Sequence, residues 1–154
     1  LKNEAKFVVA GKLDFENKDC INKDELYKSI QNNHIEYIGH SENMSSIIRS
    51  SSIVTLPSYY GEGLPLILIE AAASGRPIIT TDHPGCRDAI IDGITGLLIA
   101  KKDKYALINS ISLLLNNYKL MKKMGEKGRI FAEENFDINF VINQHLGIYS
   151  KLSK

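Results

Sequence analysis

The chain has 154 residues, of which 44% are apolar and 24% charged, with a formal net charge of +1. That length suits one domain with a real core, and the near-neutral balance excludes the strongly basic surface that nucleic-acid binding requires. The basic residues between Lys119 and Arg129 read as the solvated face of a helix. Cys20 and Cys86 lie far apart without metal-ligand spacing and read as reduced thiols. No signal peptide or membrane-spanning apolar run is seen. A start at Leu1-Lys2-Asn3 without an initiating Met reads as an excised piece of something longer.

Taken in order, Phe7 to Ala10 is a fully apolar run ending at Gly11, which predicts a buried strand. A polar loop follows to Asn22. There Asn22, followed by Asp24 and Glu25, predicts a helix start with Leu26, Tyr27 and Ile30 on one face. Ile35 to Gly39 is a second strand, and Ser41 to Ser45 offers caps for a short helix over Met44 to Arg49. Ile53 to Leu56 is a third strand, and Pro77 to Thr81, β-branched and continuous, is a fourth. Continuous apolar strands between helices indicate a parallel sheet covered on both faces. Asp92-Gly93 and Thr95-Gly96 are turn signals before a last strand, Leu97 to Ile99. Helices are then expected from Asp103, near Tyr118 to Asn135, and from Phe136-Asp137 onward. The alternation predicts an α/β class, a Rossmann-like doubly wound parallel sheet closed by C-terminal helices.

The segment from Leu56 to Gly75 carries the chemistry. It joins the third strand to a helix through Gly61, Glu62 and Gly63, with Pro65 expected at the first helical position and Gly75 as a left-handed stop. A helix N-terminus at the carboxyl end of a parallel strand is a ready site for an anion. The amides of Gly63, Leu64 and Leu66 are expected to be unpaired there, and the helix dipole favours an anion by roughly 0.3–1 kcal/mol. Glu62 stands at the mouth, and Glu70 lies two turns along, about 8–10 Å away. That spacing fits one elongated ligand: a sugar near Glu62, a diphosphate on the amides of the Gly61–Leu66 loop, a ribose near Glu70. Glu70 also interrupts an otherwise apolar helix, and a helix buried nearly all round does not keep a carboxylate without a partner.

At these residues the segment resembles the group 1 (family-four) glycosyltransferases of the GT-B fold. Their signature of two glutamates separated by seven residues is matched by Glu62 and Glu70. The flanking Pro57 to Tyr59, Ala71 to Asp82 and Pro84 to Ile99 extend the match, which covers about Ile35 to Phe136. The resemblance implies a C-terminal domain that binds a nucleotide diphosphate sugar, with Glu62 near the donor sugar and Glu70 on the ribose. It places the loop of His40, Ser41 and Met44 near the nucleobase. The Pro-Gly-Cys-Arg-Asp run, Pro84 to Asp88, is most similar to bacterial enzymes that extend undecaprenyl-diphosphate-linked sugars from UDP-sugars.

The match also implies retention of anomeric configuration, no metal or other cofactor, and cytoplasmic residence, peripheral at the inner face of the membrane in the longer protein. The family's first strand–helix unit, with its diphosphate-neutralising Arg and Lys, is expected upstream, together with the N-terminal acceptor domain. Membrane contact is expected only through that domain. Lys12, after Gly11, remains an alternative cation for the diphosphate, although Lys12 and Lys18 stand where the family has an Asp and a Pro. Two rival readings are a nucleotide-sugar epimerase, for which Asp82 and His83 are the only candidate pair, and a non-catalytic nucleotide-binding module.

Overall fold

The computed structural model describes residues 5–14, 16–17, 20–61 and 63–152. The chain divides into two compact units, residues 1–44 and 45–154.

In the first unit, strand β1 (Val8–Ala10) pairs in parallel with β2 (Glu36–Gly39), with helix α1 (Lys23–Gln31) between them in sequence. The Asn22 side chain accepts from the Asp24 amide and caps α1, as its sequence predicts. Two expectations fail here. β1 is exposed along its length, with Val8 43% and Val9 41% accessible, rather than buried. An apolar run signals a capacity for burial, but one paired strand and one helix within the unit do not enclose it. Tyr27 is likewise exposed; Leu26 is the residue of α1 that packs inward.

Helix α2 (Met44–Ser50) leads into the second unit, whose sheet has the order β3 (Val54–Leu56), β4 (Ile78–Thr81), β5 (Gly96–Ile99), all parallel. Helix α3 (Leu66–Ala73) connects β3 to β4, and a short 3-10 turn (Arg87–Ala89) precedes β5. Helices α4 (Lys104–Leu115), α5 (Tyr118–Asn135) and α6 (Ile138–Leu152) complete the chain. Every strand pair is parallel, as expected, β1 with β2 in the first unit and β3, β4 and β5 in the second.

β4 is buried at all of its positions, because alternate residues of a central strand face opposite layers. Ile78 packs with Ile48, Leu68, Ala71 and Ala72 on one face, and Ile79 with Ile99, Leu114 and Met124 on the other. The sheet of the second unit is therefore covered on both sides, α2 and α3 on one and α4 on the other. Asp103 caps α4 through the Ala106 amide, and Asp137 accepts from the amides of Asn139 and Phe140 at the start of α6. α6 forms where expected but closes nothing: none of its residues is buried.

Candidate functional site

Because β3, β4 and β5 run parallel, their carboxyl-terminal loops emerge at one end of the sheet. The loop after β3 leans across the end of β4 and is held there by side chains. Thr80 Oγ1 donates to the Leu56 carbonyl at 2.8 Å, and Thr81 Oγ1 donates to the Ser58 carbonyl. Further along, the Tyr59 and Tyr60 rings stack with centroids 4.6 Å apart, and Lys102 Nζ, from the turn after β5, lies 4.4 Å from the Tyr59 ring centroid.

The loop then delivers the chain to α3. Pro65 has φ −67° and ψ 123° and stands at the N-cap, one residue before the expected place, with Leu66 the first helical residue. The reason is its extended ψ: the ring fixes φ for either role, and here the Pro65 carbonyl accepts the first bond, from the Leu68 amide at 3.0 Å. Among the described residues, nothing accepts a hydrogen bond from the amides of Gly63, Leu64 or Leu66. Gly61, Gly63, Leu64 and Leu66 are exposed residues. A Cβ added at Gly61 or Gly63 would meet nothing within 4 Å, and neither has a left-handed φ. The fold itself thus does not call for glycine at either position.

Glu70, one turn into α3, is half-buried and makes no side-chain hydrogen bond or ion pair among the described residues. The expectation of a helix buried all round is corrected: Leu66 is 66% accessible and Ile67 and Ile69 are half-buried. α3 has a solvent-facing side, set by the single sheet face it covers, and burial alone does not demand a partner for Glu70. The structure thus brings Gly61, Gly63, Leu64, Leu66 and Glu70 onto one loop and helix. Glu62 lies outside the described residues, as does Lys18.

His40, Ser41 and Met44 belong to the first unit, after the carboxyl end of β2. His40 is exposed, and Ser41 Oγ accepts from the Asn43 amide at 3.2 Å. Lys12, also in that unit, is exposed just beyond the end of β1.

After β4, Asp82 forms an ion pair with Arg87, whose guanidinium it holds above the ordinary arginine range through a hydrogen bond and then its charge. His83 is buried, with Nδ1 donating to the Pro84 carbonyl at 2.9 Å. One member of the Asp82–His83 pair is thus salt-bridged and the other tied to backbone. This is a strand-end turn, not an epimerase cleft. Among the described residues no group of three or more His, Cys, Asp or Glu side chains could hold a metal ion.

Residues 1–131 match the family described as glycosyl transferases group 1. The chain belongs to that family. It is 31% identical over 154 residues to N,N'-diacetylbacillosaminyl-diphospho-undecaprenol alpha-1,3-N-acetylgalactosaminyltransferase of Campylobacter jejuni, covering 100% of this chain and 39% of that protein. It superposes on Staphylococcus aureus TarM, solved with fondaparinux, alpha-GlcNAc-glycerol and UDP, with a TM-score of 0.81 and 26% identity over 96% of this chain and 29% of that one. It matches the C-terminal domain of a group 1 family glycosyl transferase, LpcC of Francisella tularensis, with a TM-score of 0.75 and 25% identity over 86% of this chain and 70% of that one. The α/β architecture is that of a GT-B glycosyltransferase domain.

Sequence reasoning missed Lys102, Thr80 and Thr81. Thr80 and Thr81 read as β-branched strand filler, although a hydroxyl at the carboxyl end of a buried strand was the available signal. Lys102 gave none: a lysine before a capping aspartate does not announce a left-handed backbone.

Proposed function

We propose that this chain is the donor-binding part of a retaining glycosyltransferase that moves a sugar from a nucleotide diphosphate sugar, of the UDP type, onto a saccharide or undecaprenyl-diphosphate-linked acceptor in bacterial surface polysaccharide synthesis. The observation that carries this reading is the open N-terminal end of α3, whose amides of Gly63, Leu64 and Leu66 have no acceptor among the described residues. Unpaired amides at a helix N-terminus attract a phosphate oxygen. The space around Gly61 and Gly63 leaves room for a diphosphate against the backbone. The UDP bound to TarM supports the uridine, and the name of the Campylobacter relative supports the lipid-linked acceptor.

In this reading Glu70 accepts from the ribose hydroxyls and Glu62 from the donor sugar. The acceptor oxygen bonds to the anomeric carbon on the face from which the phosphate leaves, and the departing phosphate oxygen takes the acceptor proton. The protein contributes by holding the donor and stabilising charge on the leaving diphosphate. No metal is required in this reading, so a chelator is expected to leave UDP binding unchanged. The chain spans 39% of the length of the Campylobacter relative, and the acceptor is expected to be bound by sequence outside the matched part of such enzymes. No helix among the described residues is long and apolar enough to cross a membrane. As part of the same proposal we place the enzyme in the cytoplasm, peripheral to the inner face.

A calorimetric panel of UDP-, GDP- and ADP-sugars tests the donor. UDP-sugars are expected to bind weakly and the others not at all, and the isolated 154 residues transfer no sugar. Tighter binding of a GDP- or ADP-sugar, or measurable transfer by the isolated chain, overturns the reading.

A further inference from the structure

Lys102 has a backbone φ of 58°, a conformation that a residue with a Cβ adopts rarely and glycine or asparagine adopts readily. It falls in the turn between β5 and the Asp103 cap of α4, a place where glycine would serve the turn without strain. What glycine could not supply is the ammonium, which lies 4.4 Å from the Tyr59 ring centroid, inside cation–π range. That ring is stacked on Tyr60, immediately before Gly61. Along the loop after β3, the handholds follow in chain order. Thr80 takes the Leu56 carbonyl, Thr81 the Ser58 carbonyl and Lys102 the Tyr59 ring. The first two come from the end of β4, and the third comes from the turn after β5, so the loop is fixed by two neighbouring strands in succession.

We propose that Lys102 is a positioning residue that holds, through Tyr59, the loop presenting Gly61, Gly63 and the open end of α3. Its role in the donor site rests on the function proposed above; its hold on the loop does not. Because Tyr59 and Tyr60 lead directly into the glycine turn, loosening the ring lets the amides of Gly61 and Gly63 wander. A mobile turn offers a phosphate fewer amides at once.

The test is amide NMR on the 154-residue chain in four forms: wild type, Lys102→Arg, Lys102→Met and Lys102→Gly. In the wild type the Lys102 side-chain protons are expected upfield, shifted by the Tyr59 ring, and Tyr59→Leu abolishes that shift. In Lys102→Met and Lys102→Gly the Gly61 and Gly63 amides are expected to move and broaden, at a melting temperature unchanged in Met and unchanged or raised in Gly, where the left-handed backbone is relieved. Lys102→Arg, which keeps the cation, restores them. UDP titration of the same variants is expected to show Kd raised roughly two- to fivefold in Met and Gly, the range an exposed cation–π contact corresponds to, and close to wild type in Arg.

Unmoved Gly61 and Gly63 amides in Lys102→Met overturn the proposal, whether or not UDP binds. So does a Lys102→Gly variant that matches the wild type, since the backbone and not the cation would then be what the turn requires. A wild type that binds no UDP removes the donor reading while leaving the amide comparison to decide the role of Lys102.

Discussion

The two ends of α3 are built on opposite plans. At its C-terminal end the last helical carbonyls, Glu70 to Ala73, are taken up by the chain itself, although the neighbouring Arg76 Nε is buried without a partner among the described residues. Gly75, at φ 66°, lets its amide bond the Ala72 carbonyl at 2.8 Å while the Arg76 amide bonds Ala71 at 2.9 Å, a Schellman stop. Arg129 of α5 adds a bond to the Ala73 carbonyl at 3.2 Å, a cation where the helix dipole favours one. There a Cβ on Gly125 would come within 2.1 Å of the Gly75 carbonyl oxygen. At the N-terminal end the cap is a proline with no side-chain hydrogen bond, the amides of Gly63, Leu64 and Leu66 have no acceptor among the described residues, and a Cβ on Gly61 or Gly63 would meet nothing within 4 Å. Glycine at one end serves the protein's own packing; at the other it serves nothing inside the chain. The difference separates an end closed by the chain's own packing from the end to which we assign the donor.

Substitutions should break that comparison unequally. Gly125→Ala is expected to have the largest effect, because the clash is with backbone, which cannot rotate away. A loss of about 1–3 kcal/mol or more is expected in denaturant unfolding, larger than the helix-propensity gain of about 1 kcal/mol. Glu70→Gln comes next: unfolding is expected to be unchanged while UDP binds roughly tenfold more weakly by calorimetry, in line with losing a charge-assisted bond. Gly61→Ala and Gly63→Ala are the converse of Gly125→Ala. Their stability should stay within about 0.5 kcal/mol of wild type, while UDP affinity falls as the methyl group occupies the ligand's space. Arg87→Ala should change least, since the ion pair with Asp82 is solvent-exposed on both sides. Asp82 raises an arginine that is already charged at any ordinary pH, so the shift of Arg87 adds no pH dependence to unfolding in the ordinary range.

Much of this was legible in the sequence for local reasons. Asn22, Asp103 and Asp137 act as caps because a short polar side chain reaches the amides two or three residues on, and Gly75 stops α3 because only a left-handed residue can. β4 was legible because a continuous β-branched run fits a strand covered on both faces. What escaped was set by neighbours distant in sequence. Whether Phe7 to Ala10 becomes buried depends on what else covers it, and the apolar pattern records only the capacity. The strand order of the second unit, with β4 between β3 and β5, depends on which strand edges meet, which no single strand states alone. In the candidate site, the glycines and Glu70 were visible from spacing, while the hold of Thr80, Thr81 and Lys102 on the loop required the parallel register that brings three strand ends together.

The most direct measurement is an amide NMR titration of the wild-type chain with UDP. The amides of Gly63, Leu64 and Leu66 are expected to shift downfield and saturate together, with Gly125 and its neighbours on α5 unmoved. Saturable UDP binding that leaves those three amides in place, or shifts confined to another part of the chain, would contradict the assignment of the open end of α3 to the donor diphosphate.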